Sequence, residues 1–191
     1  TGSFFFIFFL GIILLLSIYE WLKLTKNLYQ TKILGIIFIC LSIYSAYLFR
    51  EEYSYLFFLF IISISVLTDL GGYFFGKLFK GRKLTKISPN KTISGSLGSF
   101  AFSLFSIIAI IYYDKQYGFF LSSTDYLKNI FFILFTSFIC QSGDLFISYI
   151  KRKAKVKDTG SILPGHGGLL DRIDGIMFAL PSGLILSKII F

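Results

Sequence analysis

Six apolar runs constrain this chain more than any other feature of its sequence. They lie at residues 4–22, 33–49, 53–79, 95–113, 127–150 and 173–190. A helix of about 20 residues crosses the roughly 30 Å hydrocarbon core of a bilayer and satisfies its own backbone hydrogen bonds there. None of the runs shows the alternation of a barrel strand. The sequence therefore predicts an all-α, polytopic membrane protein with about six transmembrane helices.

Composition supports this class and excludes others. The 191 residues are 55% hydrophobic and only 15% charged, which is more apolar surface than a soluble domain of this size can bury. The net charge of +9 does not indicate nucleic-acid binding, because a basic soluble protein would not carry such long apolar runs. Cys40 and Cys140 lie far apart within apolar runs, so neither a disulfide nor a metal site is indicated.

The basic residues predict the orientation. All but four of the 19 Lys and Arg residues lie in the loops that follow the first, third and fifth runs, at about 23–32, 80–94 and 151–172, or, for Lys77, at the end of the third run. The positive-inside rule places these loops in the cytoplasm. We expect residues 1–191 to form one integral-membrane catalytic domain. The start at Thr1, without methionine and directly before an apolar run, is expected of a truncated chain whose upstream membrane helices are missing.

Two places in the first three runs carry acids. Glu20 and Trp21 end the first run, and we interpret them as an interfacial anchor whose carboxylate reaches water. Asp69 lies inside the third run, where a carboxylate costs about 2.5–3.5 kcal/mol and normally faces a cavity or a partner. The alternative pairs Asp69 with a lysine near the interface. The neighbouring glycines allow close approach of another backbone or of a ligand; they are Gly71, Gly72 and Gly76.

The basic loop after the third run contains a turn signal at Ser88-Pro89-Asn90. Thr92 can cap the helix that follows, and the free amides of that helix can bind an anion. The lysines of this loop, among them Lys91, can instead contact anionic lipid headgroups. By charge alone the loop is ambiguous.

Chemistry is expected in the stretch from 142 to 174, which concentrates acids, bases, glycines and the single histidine. Asp144, Ser148 and Arg152 follow one another at helical spacing, and Lys151 lies beside them. One stripe of a helix therefore carries an acid, a hydroxyl and two bases. The alternative is that Asp144 pairs with Lys151 or Arg152 only to lower the cost of insertion.

The second half of this stretch is rich in glycine. Residues 163–168 cannot form ordinary helix, their amides could approach phosphate oxygens, and we favour a site role for His166 among them. Asp171 and Asp174 share a helical face and, with Asp144, could bind a hard cation. The alternative is that the two acids complement a helix dipole. No P-loop occurs, so the residues indicate metal-dependent phosphoryl or nucleotidyl chemistry on a lipid.

The segment from Ser148 to Asp174 resembles the signature of the phosphatidate cytidylyltransferases, which are also called CDP-diacylglycerol synthases. The matching positions are Ser148, Lys151, Arg152, Lys157, Asp158, Gly160, Leu163, Pro164, His166, Gly167, Gly168, Asp171, Arg172 and Asp174. Gly143-Asp144 and the block from Asp69 to Thr92 also resemble the family. Ser94 stands where the family usually has an acid, and the chain is shorter than typical bacterial members.

This resemblance implies transfer of CMP from CTP to phosphatidic acid, giving CDP-diacylglycerol and pyrophosphate at the cytoplasmic side of a bacterial inner membrane. It implies Mg²⁺, with room for a second cation, and a homodimer. The metal ligands would be Asp144, Asp171 and Asp174. The other catalytic residues would be Lys151, Arg152, Lys157, Asp158, His166 and Arg172. Substrate contacts would come from Asp69, Ser88, Lys91, Thr92, Ser148, Gly167 and Gly168.

Two other functions stay open at this point. Related membrane enzymes use CTP to phosphorylate polyprenyl or phytyl alcohols, and they release CDP instead of pyrophosphate. A small membrane transporter could use Asp69 and Asp144 as intramembrane sites, but the clustering of charge on one face argues against it.

Overall fold

The structure is a computed structural model that describes residues 2–26, 28–85, 87–108, 111–112, 125–165 and 167–190, with side chains from residue 4 onward. In these ranges the chain forms six α-helices and no β-strand. The helices are α1 Gly2–Leu24, α2 Tyr29–Leu48, α3 Tyr55–Phe79, α4 Ile93–Ser103, α5 Tyr126–Lys153 and α6 Leu170–Ile190, and a π-helical turn, Phe49–Tyr53, continues α2. The predicted all-α class is confirmed.

Five segments are long and apolar enough to cross a membrane. They are Phe4–Leu24, Tyr29–Tyr53, Tyr55–Phe79, Tyr126–Lys153 and Leu170–Ile190. The fourth predicted run, 95–113, corresponds to a shorter apolar helix at Ile93–Ile108. Residues 109, 110 and 113 of that run lie outside the described residues, so the sixth crossing stays a prediction.

Helices α3 and α4 meet through glycine. A Cβ atom on Gly71 would lie 2.4 Å from the carbonyl oxygen of Gly98, and one on Gly95 would lie 2.8 Å from that of Gly72. The two backbones can approach this closely only because these positions carry no side chain. The sequence alone leaves open whether another backbone or a ligand approaches the glycines after Asp69. The structure shows the close approach of another backbone, that of α4.

Hydroxyl groups connect the helices inside the apolar core. Thr68 Oγ1 on α3 donates to Ser137 Oγ on α5 at 2.9 Å. Pro181 lies inside α6 and has no N–H to donate to the carbonyl of Met177. Ser42 Oγ on α2 donates to that carbonyl at 2.7 Å. A side chain from a neighbouring helix thus satisfies the backbone group that the proline leaves free, as the membrane interior requires.

The prediction that Glu20 and Trp21 form an interfacial anchor at the end of α1 is wrong. Glu20 is 1% exposed and Trp21 is 3% exposed, so the carboxylate does not reach water. Trp21 Nε1 donates to the carbonyl of Lys32 at 3.1 Å, and the indole covers Gly35, where a Cβ atom would lie 1.9 Å from the ring. Packing against α2 therefore buries the end of α1.

The hairpin between α3 and α4, residues 80–92, closes on itself through backbone hydrogen bonds. Leu84 N donates to the carbonyl of Lys91 at 2.8 Å, and Lys83 and Thr92 form an antiparallel bridge. The predicted cap is confirmed, because Thr92 Oγ1 accepts a hydrogen bond from Gly95 N at 3.0 Å. Ser94, which replaces the usual acid, donates to the carbonyl of Lys80 and so ties the hairpin to α4.

The contact between α3 and α4 gives a test of the fold. In Gly98→Ala the new Cβ atom would lie 2.3 Å from Phe75 Cβ and 2.8 Å from the carbonyl of Gly71. We expect the helices to separate and the free energy of unfolding to fall by about 1–3 kcal/mol. Thermal unfolding in detergent measures this. Gly11→Ala is the control, since nothing lies within 4 Å of its added Cβ atom; equal midpoints for the two variants would contradict the packing.

Candidate active site

A polar cavity of about 430 Å³ opens where the ends of α3, α5 and α6 meet the hairpin and the start of α4. Acids and bases line it together. The acids are Asp69, Asp144, Asp171 and Asp174, and the bases are Lys91, Lys151 and Arg172. Asp69 and Asp144 lie inside the apolar runs of α3 and α5, whereas the other charges come from the helix ends and the hairpin. The cavity is therefore the one place described where residues from all the charged motifs meet.

Nine of the predicted site residues line the cavity. They are Asp69, Ser88, Lys91, Thr92, Asp144, Lys151, Asp171, Arg172 and Asp174. Six others do not line it, namely Ser148, Arg152, Lys157, Asp158, Gly167 and Gly168. His166 lies outside the described residues. Their roles stay predictions, and Gly168 adjoins the cavity because its N–H donates to Asp171 Oδ2.

The residues away from the cavity have identifiable surroundings. Ser148 is 8% exposed inside the helix packing. Arg152 is exposed, and its Nη1 donates to the carbonyl of Val156 at 3.3 Å. Asp158 lines a separate surface pocket with Lys23 and Lys153. The stripe predicted along α5 thus divides, with Asp144 and Lys151 facing the cavity and Arg152 pointing outward.

The carboxylates of Asp144 and Asp171 each bind a lysine. Lys91 Nζ from the hairpin pairs with Asp144 Oδ2. Lys151 Nζ pairs with Asp171 Oδ1 at 2.7 Å, and both of these side chains are largely buried. The alternative pairing of Asp144 with Lys151 or Arg152 is not the one formed. Lys91 instead links the hairpin to α5, which the sequence spacing alone did not indicate.

Asp171 is the most heavily bonded of the four acids. Its Oδ2 accepts hydrogen bonds from Thr159 N at 2.8 Å, Thr159 Oγ1 at 3.0 Å and Gly168 N at 3.1 Å, in addition to the ion pair at Oδ1. Amides of the glycine-rich loop therefore bind a carboxylate of the site itself. The loop and the start of α6 are fixed to each other through this side chain.

Asp69 and Asp174 face the cavity without a direct ion pair. Within the part of the chain that the structure describes, neither forms a salt bridge. Asp174 Oδ1 accepts a hydrogen bond from Gly175 N at 2.9 Å, and the carboxyl groups of Asp144 and Asp69 lie near it. Like charges this close in a partly desolvated place favour the binding of a cation.

The donor set fits a divalent metal in its chemistry. Carboxylate oxygens are the ligands that Mg²⁺ prefers, and Asp144 and Asp174 face the same space. Within the described ranges no three acidic, His or Cys side chains lie close enough to hold an ion by themselves. This agrees with the usual magnesium site, in which one or two carboxylates act together with substrate phosphates and water.

Sequence reasoning missed several polar residues at or near the site. Gln141 lines the cavity, and its Oε1 accepts a hydrogen bond from Ser96 Oγ at 2.6 Å. Its position three residues before Asp144 on α5 places it on the same helical face, which is a usable signal. Thr159, which binds Asp171, lies inside the family signature at a position that the signature leaves open. Glu20 gave no such signal, because its partners lie about 140–150 residues away.

A second cavity, of about 400 Å³, lies on the other side of Asp174 between α2, α5 and α6. Its walls are mostly apolar and include Phe38, Ile147, Met177 and Phe178. Asp174 lines both cavities. An amphipathic molecule could therefore place its polar end among the charges and its apolar part between the helices.

Comparison with known proteins gives consistent matches. The model of the Cytidylyltransferase family matches residues 2–190. A phosphatidate cytidylyltransferase of Rickettsia typhi is 38% identical over 170 residues, which cover 85% of this chain and 72% of that protein. The enzyme of that name from Rickettsia prowazekii is 39% identical over 168 residues, with the same coverage. That from Staphylococcus aureus (strain COL) is 44% identical over 120 residues, 60% of this chain but only 42% of that protein.

Charge repulsion at Asp174 gives a second test. Asp174→Asn removes a negative charge that faces Asp69 and Asp144, while its Oδ1 can still accept the hydrogen bond from Gly175 N. In EDTA at alkaline pH we expect the midpoint of thermal unfolding to rise by about 2–4 °C, the shift that ~1 kcal/mol produces in a domain of this size. Added Mg²⁺ should stabilise the unchanged protein more than the variant.

The control is Asp125→Asn. Asp125 forms an exposed pair with Lys128 at 2.9 Å, away from the cavity, and exposed pairs contribute little. A midpoint for Asp174→Asn that falls in EDTA would show that Asp174 stabilises the fold, and the account of an uncompensated acidic cluster would be wrong.

Proposed function

Because the chain belongs to the cytidylyltransferase family, we propose that it transfers CMP from CTP to phosphatidic acid, forming CDP-diacylglycerol and pyrophosphate. The observation that carries this proposal is the pair of adjoining cavities that share Asp174, one lined by charges and one by apolar side chains. A lipid phosphate requires both environments at once. The two rickettsial enzymes and the staphylococcal one support the same reaction by their names.

The polar cavity suits the reacting phosphates. Lys91, Lys151 and Arg172 line it and can neutralise the triphosphate of CTP and the pyrophosphate that leaves. Ser88 and Thr92, on the hairpin that covers the cavity, are placed to contact nucleotide or lipid phosphate. Lys91 and Lys151 are held by ion pairs with Asp144 and Asp171, so the positions of these two lysines are fixed before substrate arrives.

Magnesium is part of the proposal. The proposed ligands are Asp144, Asp171 and Asp174, of which one or two would hold the ion together with phosphate oxygens of CTP. When bound, Mg²⁺ neutralises phosphate charge and polarises the phosphorus that is attacked. Asp69, on the opposite wall of the cavity, adds to the negative charge that attracts the cation.

The chemical step needs little basic assistance. A phosphate oxygen of phosphatidic acid attacks the α-phosphorus of CTP in line, and the bond between that phosphorus and the bridging oxygen of pyrophosphate breaks. The attacking phosphate is already largely ionised near neutral pH. The main barrier is repulsion between two polyanions, which the lysines, the arginine and the metal reduce.

The apolar cavity suits the lipid. Phosphatidic acid would lie with its phosphate near Asp174 and part of its acyl chains between α2, α5 and α6, against Phe38 and Phe178. Lys153 and Tyr149 line the same cavity and can contact the glycerol ester region. The lipid would enter sideways from the leaflet on this side of the membrane.

The five spanning segments make this an integral membrane protein. We propose that it resides in a bacterial inner membrane with the polar cavity toward the cytoplasm, which the basic loops near that cavity support. A homodimer is proposed from the family resemblance alone. The charges lie at one end of the helices and not at mid-depth from both sides, which favours an enzyme over a transporter.

The test is an assay of pyrophosphate release in detergent with CTP, phosphatidic acid and Mg²⁺. We expect lipid- and metal-dependent release, and a fall of at least about 10²-fold in kcat for Asp144→Asn and for Asp171→Asn. Asp125→Asn, on the exposed ion pair with Lys128, is the control and should retain activity.

The same assay separates the alternatives. Release of CDP with a polyprenol, and no pyrophosphate with phosphatidic acid, would replace the proposed reaction by a lipid kinase. Ion flux in liposomes without any turnover of CTP would indicate a transporter.

A further inference from the structure

Glu20 is a buried acid that the proposed chemistry does not use. It lies on α1, is 1% exposed, and forms no salt bridge within the described part of the chain. A buried carboxylate is costly unless hydrogen bonds replace the lost water. An apolar side chain would fill this space at lower cost, so the presence of an acid calls for a physical reason.

The hydrogen bonds of Glu20 go to the start of α6. Oε1 accepts from Leu169 N at 2.9 Å, and Oε2 accepts from Leu170 N at 2.9 Å. Leu170 is the first residue of α6 and Leu169 directly precedes it, where N–H groups have no partner within the helix and the dipole favours negative charge. A side chain from α1 therefore caps α6 from a distance of about 150 residues along the chain.

Two glycines of the signature segment, Gly160 and Gly168, lie in direct contact with the carboxylate of Glu20. A Cβ atom on Gly160 would lie 2.6 Å from Glu20 Oε1, and one on Gly168 would lie 2.6 Å from Glu20 Oε2 and 2.1 Å from Thr159 Oγ1. Neither position could carry a side chain while Glu20 stays where it is. Close packing around the carboxylate thus accounts for these glycines without any contact to substrate.

Thr159 connects Glu20 to the polar cavity. Its hydroxyl oxygen lies 3.2 Å from Glu20 Oε2 and 3.0 Å from Asp171 Oδ2, and its amide donates to Asp171 Oδ2 at 2.8 Å. The hydroxyl has one hydrogen and can donate to only one carboxylate at a time. The two acids therefore hold Thr159 between them, and Asp171 in turn holds Lys151.

We propose that Glu20 is a positioning residue for the active site. It fixes the segment from Thr159 to Leu170 against α1, and through Thr159 it sets the position of Asp171 and Lys151 in the cavity. The effect of Glu20 on catalysis rests on the proposed function. Its effect on the position of this segment does not depend on which reaction the protein catalyses. Asp171 and Lys151 line the cavity and Glu20 does not, so its effect on the reaction is indirect.

The decisive variant is Glu20→Gln, which keeps the size of the side chain. Glutamine has one acceptor oxygen and an NH₂ group, so one backbone N–H of the α6 start would meet a donor instead of an acceptor. With CTP and phosphatidic acid we expect kcat to fall by about 10²-fold, the loss that a misplacement of roughly 1 Å can cause, with KM for CTP changed much less. Glu52→Gln is the matched control, because Glu52 pairs with Lys188 on an exposed surface.

Substitutions at Thr159 separate positioning from general stability. Thr159→Ser keeps the hydroxyl and should retain activity, whereas Thr159→Val removes it and should lower kcat. If Glu20 acts through Thr159, the double variant with Glu20→Gln should lose less than the product of the two single losses. Additive losses, or a kcat for Glu20→Gln equal to that of Glu52→Gln at temperatures where both are folded, would overturn the proposal.

Hydrogen exchange of the metal-free protein tests the positional part without any turnover. In Glu20→Gln the amides of Thr159, Gly168, Leu169 and Leu170 should exchange about tenfold faster or more, while those of α3 keep their protection. Unchanged exchange in this segment would overturn the proposal. If the unchanged protein releases no pyrophosphate, the proposed function fails, and the exchange result still decides the role of Glu20.

Discussion

Every backbone group that lies between membrane helices needs a hydrogen-bond partner, and this requirement governs where the chain can depart from helix. Within the described spans, Pro181 leaves one carbonyl of α6 without its helical partner, and the hydroxyl of Ser42 satisfies that carbonyl. Irregular backbone beside the polar cavity is found in the hairpin and in the segment before α6. There, side chains such as Glu20 and Ser94 bind backbone groups that have no partner within a helix.

The polar cavity lies between the helices and this irregular backbone, and the hairpin contributes Ser88, Lys91 and Thr92 to its lining. Ion pairs hold Asp144 and Asp171 to lysines, whereas Asp69 and Asp174 form no ion pair within the described residues. The first pair of acids fixes the geometry of the site, since each of them connects two segments of the chain. The four acids thus lie within one cavity and differ in how fully their oxygens are bonded.

The helices and the location of the site were predictable from the sequence, because both depend on contrasts along the chain. Apolar runs near twenty residues specify spans, and acids such as Asp69 and Asp144 stand out in apolar surroundings. The partner of each charged side chain was not predictable, because it depends on distances between helices. Lys91 binds Asp144 across two segments, and the sequence around Glu20 predicts an interfacial residue because its partners at the start of α6 are distant along the chain. The reason for Gly168 was equally hidden, since the atoms that exclude a side chain there come from α1 and from Thr159.

Asp174 lines both the cavity with charged walls and the cavity with mostly apolar walls, and this has a consequence for how such an enzyme meets its two substrates. The nucleotide arrives from a three-dimensional solution, whereas the lipid arrives by diffusion within a two-dimensional surface. If the lipid binds in the apolar cavity as proposed, its occupancy there follows the mole fraction of lipid in that surface and does not depend on the amount of lipid per volume of water. Dilution of the surface with an inert amphiphile would slow the reaction even though no inhibitor binds.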